Sequence, residues 1–583
     1  MFRHLSISTP IPLIEGWVPA FVWIKGYSRE LFSQDLIAGI IVAVMLVPQS
    51  MAYALLAGLP PEVGLYASIL PLMLYGLLGT SRCLAVGPVA IVSLLVAEAL
   101  GPIAGGDISY FILLALTLAL LTGLIQLLMG LLKVGFIVNF LSHPVLSAFT
   151  TAAAILIGFS QLKHLLGYSV PGTAPFYEQI FMTGSNLGQT NGAALLIGLI
   201  AIAILMLFKR SINPFLQRLG LRKIWATSIS KAGPLVIVVV GSLFLFFSRW
   251  DLSAGINIVG QVPSGLPSFT LPFLDLSTLQ ALLPAAIAIS LVGYMESVSV
   301  AKSLASKRRE KIDPNQELIA LGAANIGAAF TGGYPVTGGI SRSVVNFSAG
   351  ARTGMASIIT ALLITLTVLF LTPLFYFLPN AVLAAIILVA VFNMIDFRTL
   401  IGLWTYNKQD GIAWMITFIA VLSVGVEVGI LYGIGASLAL YIWRTSQPHI
   451  AVVGQVEGSE LYRNVVRHQV TTWPQVIIIR VDGCLYFANT RVLDDMVFGL
   501  VANNREVSQL VLIGSGINFI DASALEALEA LYHQLKDAQV ELYLAAFHGP
   551  VLDQLKRSKF YETLGEERIF LSTHVAMQML GHV

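Results

Sequence analysis

The chain has 583 residues, of which 56% are hydrophobic and 11% are charged, and its formal net charge is +2. Soluble domains have about 25% charged residues, so most of this chain is expected to lie in lipid. The two cysteines, Cys83 and Cys484, are too far apart to indicate a disulfide framework or a zinc site. The sequence also lacks the GxxxxGK[ST] and HExxH motifs of ATP-driven pumps and zinc hydrolases. We therefore predict no enzyme activity, metal, organic cofactor or nucleic-acid partner.

Apolar runs that can cross a hydrocarbon core of about 30 Å recur along most of the chain. They follow an N-terminal segment, 1–33, that has no cleavable signal peptide. We predict two sets of seven spans, at 35–58, 63–80, 84–98, 110–132, 142–162, 192–208 and 232–248, and at 279–300, 314–331, 336–347, 354–378, 381–395, 410–426 and 428–444. The third and tenth spans are short and rich in Gly and Pro, and they hold corresponding places in the two sets. The transport domain is accordingly placed at 34–445.

The distribution of Lys and Arg supports this count. Loops after even-numbered spans are basic, as at Lys133, Lys209 and Arg309, whereas the other loops contain few Lys or Arg residues beyond Lys163 and Arg249. By the positive-inside rule, both ends of the domain then face the cytoplasm. We expect a multi-pass protein of the inner or plasma membrane with both termini cytoplasmic.

A faint internal repeat relates the two sets of spans. Glu296 lies 247 residues after Gln49, and Pro335 lies 247 residues after Pro88. Because each set has an odd number of spans, the second set must be inverted relative to the first. Inverted repeats with broken helices that face each other at the midplane are a transporter architecture. The predicted fold class is a polytopic α-helical membrane protein with a 7+7 inverted repeat.

The tenth span contains GGYPVTGGISRSVV, from Gly332 to Val345. Its glycines and proline interrupt the helix, and irregular backbone at membrane depth is tolerated only inside protein or beside a wet cavity. The helix that restarts directs free N–H groups and a positive dipole end toward the break, which favours an anion. At the start of the third span, Val89 and Ala90 offer backbone N–H groups in the same way. This pattern predicts an anion site between two half-helices.

Two charged residues lie well inside spans. Arg342 in the tenth span is either the fixed positive charge of an anion pocket or a structural partner of a carboxylate or of carbonyl groups. Glu296 in the eighth span either carries a coupled proton or is a permanent partner of Arg342. Asp35 and Glu98 stand at span ends, where water can solvate them, and we interpret them as structural. Gln49 and Tyr53 share one helix face, where they contact either the anion or a neighbouring helix.

The composition changes after Arg444, and strands alternate with helices. VIIIRVDGCLYFANT (476–490), LVLIGSG (510–516) and VELYLAAF (540–547) are typical of strands, and a helix is predicted from Asp521 to Asp537. This alternation predicts a small α/β domain at 446–583, on the cytoplasmic side.

The whole chain resembles the SulP anion transporters, which are called the SLC26 family in animals and carry a C-terminal STAS domain. The resemblance rests on PQSMAYALLAGLPP (48–61), PEVGLYASILPLMLYGLLGTSR (61–82) and GISRSVVN (339–346), and for the STAS domain on NFIDASALEAL (518–528). It implies half-helices at spans 3 and 10, a homodimer and a cytoplasmic partner for the STAS domain. It also implies an anion pocket formed by Gln49, Tyr53, Val89, Ser341 and Arg342, and we predict Ala90 and Gly339 as further substrate-binding residues.

We predict a secondary transporter of a small oxyanion, with sulfate and proton symport as the first hypothesis. Sodium-coupled bicarbonate transport, dicarboxylate transport, and an exchanger or channel of the same fold are the alternatives. Soluble STAS domains are often phosphorylated on the Ser or Thr directly after the motif aspartate, here Asp521, but the next residue is Ala522. Regulation through Asp521 and Ser523 is therefore a weak prediction, since Ser523 can equally cap a helix.

Overall fold

The computed structural model describes residues 17–140, 142–168, 176–221 and 223–583. Of the predicted N-terminal segment, residues 1–16 lie outside the described residues. The chain forms two compact units, Met1–Ser437 and Leu438–Val583.

The first unit consists almost entirely of helices, and the last of these, α21, continues into the second unit. The α-helices are α1 Ala20–Ile24, α2 Arg29–Leu56, α3 Pro61–Tyr66, α4 Leu70–Leu78, α5 Ala90–Ala104, α6 Ile108–Leu131, α7 His143–Leu166, α8 Phe176–Ser185, α9 Gly192–Leu207, α10 Asn213–Arg218, α11 Lys223–Lys231, α12 Gly233–Ser248, α13 Trp250–Ser253, α14 Leu276–Arg308, α15 Pro314–Phe330, α16 Ile340–Ser348, α17 Met355–Phe370, α18 Asn380–Val391, α19 Phe397–Tyr406, α20 Lys408–Val424 and α21 Val426–Thr445. Short 3-10 or π turns lie at Gly135–Phe140, Leu187–Gln189, Phe208–Ile212, Thr372–Phe375 and Phe392–Met394.

Every predicted span has a helical counterpart. Among the described residues, eight helical segments are long and apolar enough to cross a membrane, and α5, α12 and α17 are shorter apolar helices. The remaining three predicted spans correspond to α15, α16 and α20. The helices therefore agree with fourteen spans, and the predicted fold class is confirmed.

The third and tenth spans begin as extended chain and continue as helix. Strand β1, Val86–Gly87, pairs antiparallel with strand β2, Thr337–Gly338, so that Val86 lies opposite Gly338. Helix α5 begins three residues after β1, and α16 begins two residues after β2. The two half-helices predicted from glycine and proline are thus present, and their entrances are joined by a two-residue ladder. The prolines are not equivalent, however, because Pro88 lies between β1 and α5 whereas Pro335 precedes β2.

Close helix contacts in this unit depend on small residues. A Cβ atom on Gly322 of α15 would lie 2.7 Å from the backbone nitrogen of Leu127 and 2.8 Å from the carbonyl oxygen of Gly123, both on α6. Helices in lipid associate mainly through such close packing, because lipid tails are as apolar as the side chains. Glycine at these positions lets α6 and α15 approach at backbone distance.

Two fully buried carboxylates fix the chain segments before α5 and α17. Glu317 of α15 accepts hydrogen bonds from Tyr75 Oη (2.7 Å), from Thr80 N (2.8 Å) and Oγ1 (2.6 Å), and from Ser81 N (2.9 Å). Asp35 of α2 accepts from Thr353 Oγ1 (2.6 Å) and from the backbone nitrogens of residues 352 and 353. The expectation that water solvates Asp35 is wrong, because the protein supplies its donors. Its interpretation as a structural residue agrees with these contacts.

The second unit contains a six-stranded sheet with the order β4-β3-β5-β6-β7-β8. Strands β5 to β8 are parallel, and β3 runs antiparallel to both β4 and β5. The elements are β3 Ile450–Gln455, β4 Tyr462–Asn464, β5 Val476–Val481, α22 Thr490–Ala502, β6 Gln509–Ile513, α23 Ala522–Asp537, β7 Glu541–Ala545, α24 Gly549–Leu555, α25 Lys559–Leu564, a 3-10 turn Glu566–Arg568, β8 Ile569–Phe570 and α26 Thr573–Met579. Helices α22 to α25 contribute to the apolar core on one face, and α26 covers the other. The predicted α/β domain is confirmed, although β3, β4, β8, α25 and α26 were not predicted.

Candidate anion site

The first helix of each half packs against both half-helices. Helix α2 contacts α5 and α16, and α14 contacts the same two helices. Pro48 lies inside α2, where it removes one helical hydrogen bond directly before Gln49. Gln49 and Tyr53 are 6% and 7% exposed. Helices α2, α5, α14 and α16 therefore pack together, and Gln49 and Tyr53 of α2 are buried.

The half-helices begin without side-chain caps. Val89 precedes α5 and Gly339 precedes α16, each with extended backbone, and no side chain of the described residues accepts a hydrogen bond at either N-cap. Backbone N–H groups in the first turn of a helix have no intrahelical acceptor. The nearby ladder thus joins two N-terminal ends that carry partial positive charge, which is an arrangement that favours an anion.

Arg342, in the first turn of α16, bridges the two half-helices. Its side chain is 2% exposed, and Nη1 donates a hydrogen bond of 2.5 Å to the carbonyl oxygen of Pro88, just before α5. Nε and Nη2 are buried and have no hydrogen-bond partner among the residues that the structure describes. A Cβ atom on Gly339 would lie 3.0 Å from Nη2, so glycine makes room for the guanidinium. Arg342 therefore has a carbonyl partner on one side and an unused pair of donors on the other.

Glu296 of α14 lies within electrostatic range of Arg342, but no ion pair of 4.0 Å or less joins these two described residues. Its Oε2 atom is buried and lacks a hydrogen-bond partner within the described chain. The hypothesis of a permanent Glu296–Arg342 pair is therefore wrong for this conformation. The role of Glu296 in proton coupling stays a prediction.

Several site residues were missed by the sequence analysis. Tyr334 and Ser93 are fully buried, and their hydroxyl oxygens are 2.9 Å apart. Ser343 donates to the carbonyl of Gly339 (2.7 Å) and accepts from the backbone nitrogen of Ala85 (2.9 Å). These residues could not be selected from the sequence, because Ser and Tyr are common in membrane helices and their partners lie in the other half of the chain.

Ser297 connects α14 to the entrance of α16. Its Oγ lies 2.7 Å from Thr337 Oγ1 and accepts a hydrogen bond of 2.8 Å from the backbone nitrogen of Gly338. Ser297 directly follows Glu296 in the sequence. Glu296, the predicted coupling residue, therefore lies on a helix that is joined to β2 by hydrogen bonds.

The predicted pocket residues are thus only partly brought together. Tyr53, Glu296 and Arg342 lie within electrostatic range of one another, and Val89, Ala90 and Gly339 form the helix entrances. Ser341 has an exposed side chain instead. A separate cavity of about 430 Å³ lies farther along α5 and is lined by Glu98, Lys163, His164 and Gly425, among others. Glu98 accepts a hydrogen bond of 3.1 Å from the nitrogen of Val426, so it is only partly solvated.

In the second unit, Asp521 caps α23. Its Oδ1 accepts from Ala524 N (2.8 Å) and its Oδ2 from Phe487 N (3.0 Å). Ser523 lies exposed in the first turn of the helix, so the interpretation of Ser523 as the cap is wrong. The regulatory role of the two residues stays a prediction.

The fold and the paired half-helices define a membrane transport protein with a C-terminal α/β domain. The sequence profile of the sulfate permease family matches residues 32–417, and that of the STAS domain matches residues 467–576. The chain belongs to the sulfate permease family of anion transporters and is not an enzyme.

Similar proteins cover nearly the full length of the chain. The probable sulfate transporter 4.2 of Arabidopsis thaliana is 38% identical, with 98% of this chain and 84% of that protein aligned. The high affinity sulfate transporter 2 of Stylosanthes hamata is 33% identical, with 97% and 86% aligned. The murine Solute Carrier 26 family member A9 anion transporter, solved in the inward-facing state, superposes with a TM-score of 0.91 at 26% identity, over 100% of this chain and 97% of that one.

Proposed function

We propose that this protein carries sulfate across a cell membrane by symport with protons. The observation that carries the proposal is the buried guanidinium of Arg342, whose Nε and Nη2 atoms have no hydrogen-bond partner among the described residues and lie between two uncapped helix N-termini. The sulfate transporters among its relatives support the choice of anion.

The unused atoms of Arg342 suit an oxyanion for a geometric reason. Nε–H and Nη2–H lie on the same edge of the planar guanidinium and can donate two parallel hydrogen bonds to two oxygen atoms of one ligand. Nη1 on the other edge is held by the carbonyl of Pro88, which orients that free edge. A doubly charged tetrahedral oxyanion such as sulfate offers acceptors to this edge and to the N–H groups of both half-helices.

A proton on Glu296 would reduce the electrostatic cost of binding the anion. When Glu296 is ionised, its negative charge opposes an anion near Arg342, and protonation removes that opposition. Anion and proton would thus bind together, which is the basis of symport. Sodium is the alternative coupling ion, because a cation beside Glu296 would neutralise the same charge.

The cellular arrangement is also part of the proposal. We place the transport domain at 34–445 and the STAS domain at 446–583, with both termini in the cytoplasm of a cell that carries the protein in its inner or plasma membrane. A homodimer and a cytoplasmic partner of the STAS domain complete the hypothesis. The basic loops, in which Lys209 and Arg309 are exposed, support this orientation by the positive-inside rule.

Flux into proteoliposomes tests the function. Uptake of labelled sulfate, bicarbonate and a dicarboxylate would be compared with and without inward gradients of protons or sodium. We expect sulfate accumulation that requires the proton gradient. Accumulation of bicarbonate with sodium, or passive sulfate flux that no gradient drives uphill, would contradict the proposal.

A further inference from the structure

A hydrogen bond between two buried hydroxyl groups links the halves of the repeat beside the candidate site. Ser93 lies in the first half-helix, α5, and Tyr334 lies three residues before β2. Their oxygen atoms are 2.9 Å apart, and both side chains are fully buried. Tyr334 also lies within electrostatic range of Arg342 and Tyr53. The bond therefore borders the anion site.

This bond holds α5 at a second point. The first attachment precedes the helix, where Val86 and Gly87 pair with β2 and the nitrogen of Gly339 donates to the carbonyl of Ala85 (3.1 Å). The bond between Ser93 and Tyr334 follows the N-cap by about one turn of helix. These two attachments lie on either side of the N-terminus and, together with the packing of α5 against α2 and α14, restrict the tilting of α5. The separation of the two half-helix ends is thus fixed from both sides.

We propose that the hydrogen bond between Ser93 and Tyr334 determines the size of the oxyanion that this transporter selects. The inference rests on the proposed function, since it requires an anion between the half-helices. Both residues act as positioning residues: they hold α5 against the segment before β2, and so they set the distance between the N–H groups that face the anion. Without the bond, α5 can tilt about the ladder and admit a larger tetrahedral oxyanion such as molybdate.

Removal of the two hydroxyl groups should reduce the stability of the protein unequally. Tyr334→Phe leaves the Ser93 hydroxyl, which can donate to a carbonyl in the preceding turn of its own helix. Ser93→Ala leaves the Tyr334 hydroxyl buried without its only hydrogen-bond partner among the described residues. The serine variant should therefore lose more stability, and Ser93→Ala/Tyr334→Phe should recover part of that loss.

Binding to the purified full-length protein tests the proposal. Labelled sulfate would be competed with unlabelled sulfate and with molybdate, and the ratio of their affinities would be measured. We expect the preference for sulfate to fall roughly fivefold in each single variant, and no further in the double variant because the residues share one bond. Thr360→Val is the matched control, because it deletes a buried hydroxyl that donates hydrogen bonds to the carbonyl oxygens of Gly39 and Ala356. Gly39 lies more than two helical turns from Gln49 along α2.

The possible outcomes separate the inference from the proposed function. An unchanged ratio in a folded Tyr334→Phe protein, or a ratio that falls equally in Thr360→Val, overturns the inference. An equal loss of affinity for both anions indicates a merely structural role and also overturns it. Wild-type protein that binds neither oxyanion instead contradicts the proposed function. If Ser93→Ala does not fold, the ratio in Tyr334→Phe and in the double variant decides the question.

Discussion

Replacing Glu296 by glutamine is expected to abolish proton-driven accumulation of sulfate while the protein remains folded. Glutamine keeps the size of the side chain but cannot bind and release a proton. Because Oε2 has no hydrogen-bond partner within the described chain and no ion pair joins the residue to Arg342, the substitution breaks no observed polar contact of that atom.

The structure allows the effects of Glu296→Gln on stability and on sulfate accumulation to be estimated. Breaking a buried ion pair costs about 3–5 kcal/mol, whereas a change at an unpaired atom should alter the free energy of unfolding by about 1 kcal/mol or less. For transport, one pH unit is worth about 1.4 kcal/mol per coupled proton, which corresponds to a roughly tenfold accumulation of sulfate at zero membrane potential. The Glu296→Gln variant should show no accumulation under the same gradient.

Both quantities can be measured on one reconstituted preparation. Uptake of labelled sulfate would be followed with a pH gradient of one unit and the membrane potential held at zero, and thermal unfolding would be recorded in parallel. Sulfate–sulfate exchange without a gradient should survive, because glutamine retains a hydrogen-bonding end. A stable variant that still accumulates sulfate with the proton gradient would refute the coupling role of Glu296.

Three further predictions concern the supports of the site and the second unit. Glu317→Ala should destabilise the protein by about 3 kcal/mol or more, since it leaves the hydroxyl donors of buried Tyr75 and half-buried Thr80 unpaired; an unchanged unfolding temperature would contradict this. Gly322→Ala should cost about 1–3 kcal/mol, because the new Cβ would meet the backbone of α6, and a denaturation curve equal to that of the wild type would count against such close packing. Arg480 and then His449 hold the pKa of Asp482 below its usual range. The stabilisation from these two contacts is fully present above the pKa that Asp482 has in the unfolded chain, and it is lost as the pH falls through the pKa of Asp482 in the folded domain. Asp482→Asn should therefore destabilise the isolated domain 446–583 by about 1 kcal/mol or less at pH 7 and should have no effect in strong acid. An equal loss of stability at both pH values would refute this prediction.

The architecture of the transport unit could be predicted because hydropathy and glycine act locally. Span lengths follow from membrane thickness, and the broken tenth span follows from GGYPVTGG, since neither depends on distant contacts. Arg342 and Glu296 could be selected because charge inside a span is costly and therefore rare. These features identified the half-helices and the charges beside them.

The remaining parts of the site depend on contacts between distant parts of the chain. Glu317 stands near a span end like Asp35, and only the fold brings Tyr75 and Thr80 to it. The role of Tyr334 arises from Ser93 in the other half of the repeat. Ser341 was predicted in the pocket from its place in the motif, yet its side chain is exposed in this conformation. Helix orientation, which the motif alone does not specify, decides which serine is buried.

The central claim is that sulfate binds to the free edge of Arg342 between the two half-helices. The most direct measurement is the dissociation constant of labelled sulfate for purified wild-type protein, Arg342→Ala and the exposed control Arg398→Ala. Loss of two charge-assisted hydrogen bonds should weaken binding at least about 30-fold, or about 2 kcal/mol, in Arg342→Ala. Arg398→Ala should bind like the wild type. A folded Arg342→Ala protein that binds sulfate with wild-type affinity would contradict the account.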